Sequence, residues 1–463
     1  MSAAQSVLQS RRCGVLLHPT SLCTEHGALG AAARAFVDWL ASAGCSVWQV
    51  LPLGPVGSDR SPYWVRSDQA GNPQLIDRRE APDPNVARAQ FADYCAAQAG
   101  WLEDYVLFVA LSRAHDAAAW WTWPTELKDR GPAALAQARV RLSDELHSLR
   151  VEQWQFAQQW SVLRDYAHER GVQLFGDLPI YVAPDSVATW VQREQFQLQG
   201  SGEPAALAGV PPDYFSADGQ LWGNPLYHWQ QAEADDFAFW RQRFAAQLQR
   251  FDLLRIDHFR GLAGYWSVPA GALTARDGRW VEAPGVALLA RLRAAHDGLP
   301  VVAEDLGLIT PDVDALRRQF GLPGMRVMQF GFDGSPDNPH LVHNYSRYTV
   351  AYTGTHDNDT TLGWYRSLDA SAARRVDDYL GSDSAHMPGA MVRAALASVA
   401  VLAVAPLQDL LALGSEARFN TPGTVRGNWC WQFDTGALTR ELAGPLLTMN
   451  ERYGRIVRYP LQL

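Results

Sequence analysis

Asp257 in LLRIDHFRG, Glu304 in VVAEDLG and Asp357 in YTGTHDN each close a short apolar run. Such a run reads as a strand whose end presents a carboxyl group. A single acid in that position is ordinarily a cap or a turn residue. Three of them, each beside a further polar residue, suit glycosidic bond chemistry. There one carboxylate attacks, and a carboxylic acid about 5–5.5 Å away protonates the leaving oxygen. Arg255 stands two residues before Asp257 and so shares its side of a strand. A guanidinium there would hold Asp257 ionised and aim it, or make an ordinary salt bridge. Glu304 needs the opposite surroundings to keep its proton near neutral pH, and the preceding Val301, Val302 and Ala303 suit that. His356 beside Asp357 reads as a strand-end hydrogen-bonding pair. No second spaced His or Cys joins them, so no metal site is expected.

For these groups to converge, the elements carrying them must end at one place. Apolar runs at residues 15–22, 47–53, 173–182, 253–259, 301–306, 325–330, 349–357 and 405–413 read as eight strands. They are near-continuous rather than alternating, as in parallel strands covered on both faces. Helical patterns separate them. Residues 31–43 place Phe36, Val37 and Leu40 on one face before Gly44, and residues 151–170 carry Trp154, Trp160, Leu163 and Ala167 before Gly171. The alternation predicts an α/β fold, a (β/α)8 TIM barrel occupying residues 1–463 as a single catalytic unit. An open doubly wound sheet is the alternative, but HPTSL stands where its Gly-rich turn would follow the first strand. Long connections predict lobes around the C-terminal mouth. These are a largely helical insertion at 58–150, a loop-rich one at 183–245 and a third at 262–298.

Composition narrows the function classes. The 463 residues are 47% hydrophobic and only 19% charged, with a net charge of −9, so a nucleic-acid partner is not expected. Eighteen Trp, 15 Tyr and 17 Phe are an aromatic excess, enough to fill a core and leave rings for sugar stacking. The five cysteines, Cys13, Cys23, Cys45, Cys95 and Cys430, form no CxxC pair and read as buried reduced thiols of a cytoplasmic protein. No signal peptide is evident. The longest apolar run, residues 394–407, is too short for a bilayer and reads as a buried helix entering a strand.

The motifs GVLLHPTSL, SPY, AGNPQLID, GDLPIYVAPDS, AGVPPDYFSADGQLWGNPLYHW, LLRIDHFRG, VVAEDLGLITP, FGLPGMRVMQF, YTGTHDNDTTLGWY and GSEARFN run almost from end to end. In them the chain resembles the amylomaltase-type 4-α-glucanotransferases, glycoside hydrolase family seventy-seven of the α-amylase superfamily. The resemblance implies retaining transfer of an α-1,4-glucan segment to the 4-hydroxyl of glucose or a maltodextrin, with no cofactor. It makes Asp257 the nucleophile, Glu304 the acid/base and Asp357 the carboxylate that grips the sugar in the transition state. Arg255 would orient Asp257, His356 and Tyr63 would hold the donor sugar, Asp177 would support that pocket, and Trp222 would shape the acceptor side. Asp213, Gln220, His258 and Asn358 complete the implied substrate contacts. One departure stands out: relatives commonly read GYGDSPYQ where this chain has GSDRSPYWV, placing Ser58 and Trp64 at an aromatic and a Gln position. The stretch from Glu80 to about Trp101 is also shorter. An α-glucan hydrolase, or a glucan-binding protein without activity, would be the competing readings.

Overall fold

The computed structural model describes residues 7–22, 24–212, 216–296, 298–424 and 426–457. Eight parallel strands close into a barrel: β1 (Arg12–Leu16), β2 (Val47–Gln49), β3 (Gln173–Leu178), β6 (Leu253–Ile256), β9 (Val301–Ala303), β10 (Gly324–Val327), β11 (Thr349–Tyr352) and β12 (Leu402–Pro406). Their order around the barrel is β1-β12-β11-β10-β9-β6-β3-β2. The remaining four, β4 (Ala206–Val210), β5 (Gln220–Pro225), β7 (Gly264–Pro269) and β8 (Arg279–Glu282), form an antiparallel sheet in the order β5-β4-β7-β8.

Side chains alternate across each barrel strand. Phe175, Leu253, Val302, Val350, Tyr352, Leu402 and Val404 fill the barrel interior together with Leu16 and Val47. Their neighbours Leu174, Leu254, Val301, Ala303, Ala351 and Ala403 pack outward against the helices. The inward phase continues toward the C-terminal mouth and there changes from apolar to polar. Phe175 is followed two residues on by Asp177, Leu253 by Arg255 and Asp257, and Val302 by Glu304. One alternation thus builds the apolar plug below and the carboxylate floor above it.

The helix Ala31–Ser42 buries Phe36, Val37 and Leu40 and gives way to Gly44, which takes the positive φ that a helix C-terminus favours. The helix Ser143–Glu169 begins eight residues before the predicted start and ends, as expected, ahead of a positive-φ Gly171. The apolar run at 394–407 is the end of the helix Gly389–Ala397 entering β12.

Several boundaries differ from the sequence reading, and proline sets two of them. β1 stops at Leu16 and Pro19 opens a 3-10 turn, so residues 17–22 are not strand. The last barrel strand is Leu402–Pro406 rather than 405–413, because Pro406 ends it and the helix Leu407–Leu410 follows. The thiol expectation holds for Cys13 and Cys45, which are buried, but Cys430 is exposed and Cys95 half-buried. Cys23 lies outside the described residues. Among the described residues no helix is long and apolar enough to cross a membrane.

Candidate active site

Asp257 and Glu304 each stand one residue past a strand end, on the adjacent strands β6 and β9. Asp357 stands five residues past β11, in the turn that YTGTHDN makes. The strands are shorter than the apolar runs suggested, so Asp257 and Glu304 sit on the first loop positions of the mouth and Asp357 further along its loop, rather than on the ladders. That frees their backbone to turn the side chains toward one another.

Arg255 ties the floor together. Its Nη2 donates to Asp257 Oδ1 at 2.6 Å and its Nη1 to Asp177 Oδ2 at 2.5 Å, across the β3–β6 pair in which Asp177 and Arg255 are direct partners. The Tyr63 hydroxyl donates to the same Asp177 oxygen at 2.8 Å. Asp177 and Arg255 are almost wholly buried, whereas the Asp257 side chain keeps 28% of its surface exposed. Burial pushes the Asp177 carboxyl up to about 7 against the pull of Arg255. The guanidinium is committed to two carboxylates, and Asp257 is left with Oδ2 free to face a substrate.

Glu304 is only 9% exposed. Burial is the main cause that raises its carboxyl to about 8; Arg255 opposes the rise and the Asp257 charge adds to it. Two backbone N–H groups fix the side chain: His258 donates to Oε2 at 2.7 Å and Leu306 to Oε1 at 2.9 Å. The first of these bonds depends on a left-handed backbone at His258, with φ 48°, which bends the chain after Asp257 back over Glu304. The His258 ring is half-buried, and desolvation brings it down to about 4, so it is neutral near pH 7. Trp222 stands edge-on to that ring at 4.6 Å, and its indole N–H donates to Gln220 Oε1 at 3.1 Å. β5 of the antiparallel sheet thereby brings Trp222 and Gln220 to the Glu304 side of the mouth.

Asp357 is the most open of the three, with 45% of its side chain exposed. Asn420 Nδ2 donates to its Oδ1 at 2.6 Å, and Arg418 Nη2 donates to its backbone carbonyl at 2.7 Å. His356 Nε2 lies 3.4 Å from its other oxygen, and burial keeps the imidazole below its usual pKa. Tyr63 stacks on His356, with ring centres 5.2 Å apart and planes 21° from parallel. Asn358 turns its side-chain oxygen inward to accept from the Thr355 N–H and hydroxyl, both at 2.9 Å, which shapes the turn presenting Asp357. Asp213 lies outside the described residues.

The structure therefore connects Tyr63, Asp177, Arg255, Asp257, His258, Glu304, His356 and Asp357 through direct contacts, with Trp222 and Gln220 joined through His258. It adds residues that sequence reasoning missed. Arg418 and Asn420 hold Asp357, and Trp429 stands 6.0 Å from Tyr63 and 5.9 Å from His356, ring centre to ring centre. Trp429 has φ 62°, a costly backbone for a bulky residue, and its N–H is held by the Phe419 carbonyl at 2.7 Å. The motif GSEARFN was visible in the sequence, but nothing in a loop of this composition announces a role. The variant loop GSDRSPYWV spans the mouth. Arg60 reaches Cys430 Sγ at 3.4 Å on one side, and on the other the Trp64 ring lies beside Gly223, where a Cβ would meet it in ordinary contact at 3.4 Å.

Comparison with known proteins agrees with this geometry. The profile of a glycoside hydrolase family described as 4-alpha-glucanotransferase matches residues 17–83 and 78–437. The two pieces meet at residues 78–83. The chain is 43% identical to the 4-alpha-glucanotransferase of Thermus thermophilus, covering 96% of this chain and 99% of that one. That alignment takes 496 positions, more than this whole chain holds, so the relative carries segments absent here. Identity is 38% to the chloroplastic/amyloplastic 4-alpha-glucanotransferase of Solanum tuberosum, covering 96% and 87%. Among solved structures, the amylomaltase of Streptococcus agalactiae in complex with acarbose superposes with a TM-score of 0.91 at 34% identity, covering 96% of this chain and 99% of that one. The chain belongs to the 4-alpha-glucanotransferase family.

Proposed function

We propose that this carboxylate cluster moves segments of α-1,4-glucan from a donor chain to the 4-hydroxyl of glucose or a maltooligosaccharide by double displacement. The observation that carries the reading is the pair of opposed environments around Asp257 and Glu304. Asp257 is clamped by Arg255 and half open to the mouth. Glu304 is buried and protonated near neutral pH. One is prepared to attack and the other to donate a proton.

In the first half-reaction Asp257 Oδ2 bonds the anomeric carbon while the glycosidic C–O bond breaks. The Glu304 proton passes to the leaving oxygen, which departs as a 4-hydroxyl. The bound Glu304 is then a carboxylate. In the second half it takes the proton of an incoming 4-hydroxyl, whose oxygen bonds the anomeric carbon as the bond to Asp257 breaks. Asp357, held by Asn420 and with its side chain 45% exposed, would accept hydrogen bonds from sugar hydroxyls and oppose the positive charge of the oxocarbenium-like state. Tyr63 and His356 would flank the donor glucose. Trp222, packed on the His258 ring beside Glu304, supports a role in seating the acceptor and displacing water. The reading places the reaction in the cytoplasm, where free thiols stay reduced.

Incubation with maltotriose tests this. Transfer yields glucose and a ladder of longer maltodextrins with little gain in reducing ends. Reducing ends that rise without a ladder would make the enzyme a hydrolase instead.

A further inference from the structure

The turn that carries His356 and Asp357 leaves the sheet early. β11 and β12 form their last register pair at Tyr352 and Val404. Beyond it the ladder gives one long bond, from the Thr353 N–H to the Val404 carbonyl at 3.4 Å, and the chain runs free of strand until the helix Thr361–Ser367 begins. Side chains from the segment after β12 take over. Asn420 and Arg418 hold Asp357 itself, the Asn420 N–H donates to the His356 carbonyl at 3.1 Å, and the Ser415 hydroxyl donates to Asp359 Oδ2 at 2.6 Å. These contacts meet the crest of the turn.

Its two feet meet a single residue. Asp409, in the short helix Leu407–Leu410 that follows β12, is only 2% exposed. Its Oδ2 accepts from the Thr353 hydroxyl at 2.6 Å and from the Thr361 hydroxyl at 2.6 Å, and its Oδ1 accepts from the Thr361 N–H at 2.7 Å. Thr353 and Thr361 are themselves fully buried.

A carboxyl group in this position is costly, because it is buried and its donors are all neutral. Burial pushes it above the ordinary carboxylate range, while the same hydrogen bonds pull the other way. An apolar side chain would fill the space without that cost. It would not set the distance between the start and the end of the turn, which an acceptor with two oxygens does by joining Thr353 to Thr361 at one point.

We propose that Asp409 is a positioning residue for the transfer reaction: by clamping both feet of the turn 353–361 it fixes where Asp357 meets the donor sugar, without touching the sugar itself. The proposal rests on the glucanotransferase reading of Asp357. Three variants of the full chain test it. Thr353→Val removes one hydroxyl at nearly constant volume, and Thr353→Ser keeps that hydroxyl. Asp409→Asn replaces one acceptor by an NH₂ that must face either the Thr361 N–H or both hydroxyls. Asp357 acts on the transition state, so misplacing it lowers kcat and spares KM. A displacement of about 1 Å can cost about a hundredfold, and part of it about tenfold. Thr353→Val and Asp409→Asn should therefore lose about tenfold in kcat on maltotriose, per folded enzyme, with KM within about twofold of the parent. Thr353→Ser should stay within about twofold in both. An unchanged kcat in Thr353→Val, a KM that rises in step with the fall in kcat, or an equal loss in Thr353→Ser overturns the assignment. If Asp409→Asn does not fold, the Thr353 pair decides alone. A parent enzyme that makes no ladder from maltotriose would instead refute the transferase reading itself.

Discussion

Glu304→Gln separates the protonation of this residue from every other consequence of its burial. In the folded protein the Glu304 carboxyl titrates near 8 rather than at its ordinary 4.5. Between those two values the folded state holds a proton that the unfolded chain has released. Stability contributed by this site is therefore intact below about pH 4.5 and falls as pH rises through the window, reaching its full loss above 8. At about 1.4 kcal/mol per pH unit, moving from pH 5 to 7.5 costs on the order of 3 kcal/mol. Replacement by Gln removes the titration. Its amide NH₂ must also face one of the two backbone donors, His258 N–H or Leu306 N–H, so the variant loses a hydrogen bond at every pH. The absolute stability is then a poor readout and the pH slope is the informative one. Asp177, raised to about 7, contributes a slope of the same sign that persists in the variant. The assay is denaturant unfolding of parent and Glu304→Gln at pH 5, 6, 7 and 7.5, with activity measured over the same range and on to pH 9. The parent should lose stability faster than the variant, by on the order of 3 kcal/mol across the window. Its rate should follow the acid form, about 90% present at pH 7 and about 10% at pH 9. Parallel stability slopes in the two proteins, with an alkaline limb that survives in the residual activity of Glu304→Gln, would refute the assignment of the raised group to Glu304.

The remaining expectations concern the groups that aim the acids. Arg255→Lys keeps the charge but offers one ammonium where a forked guanidinium spans Asp177 and Asp257, so kcat should fall by on the order of a hundredfold in steady-state assays, while a Lys variant near parent activity would show that the bridge is dispensable. Asn420→Ala removes a 2.6 Å bond to the Asp357 carboxylate; a hydrogen bond to a charged group is worth about 1.5–3 kcal/mol, so if Asp357 relies on it to meet the transition state kcat/KM should drop by up to about 10- to 150-fold, and parent-like kcat/KM would show that Asp357 needs no such support. Trp429→Ala should raise KM for maltotriose more than it lowers kcat, because its ring borders Tyr63 and His356 without touching a carboxylate.

The barrel was readable because its strands are covered on both faces and so appear as unbroken apolar runs. Their ends were not, since the run read as strand continues past the ladder into the mouth, as at 253–259 and 301–306, and only a proline such as Pro19 or Pro406 marks the stop. The antiparallel sheet escaped notice for a different reason. ALAGV and QLWGNP are short, Gly-bearing segments, and β4 finds its partner β7 more than fifty residues away, a pairing no local pattern announces. The acids and Arg255 were readable from the strand phase, which places Arg255 and Asp257 on one side. The supports of Asp357 were not: Arg418, Asn420 and Trp429 lie in irregular chain after the last barrel strand, and only the closed ring of strands brings that segment back against β11.

The central claim is that Asp257 bonds the sugar and Glu304 handles the proton. A donor with a leaving group that needs no proton, α-maltosyl fluoride, isolates the first step in Glu304→Gln. Mass spectrometry of the quenched, digested variant should find a maltosyl group on the peptide holding Asp257, and none in the Asp257→Asn, Glu304→Gln double variant. A sugar attached to any other peptide, or a donor consumed with inversion at the anomeric carbon, would contradict the account.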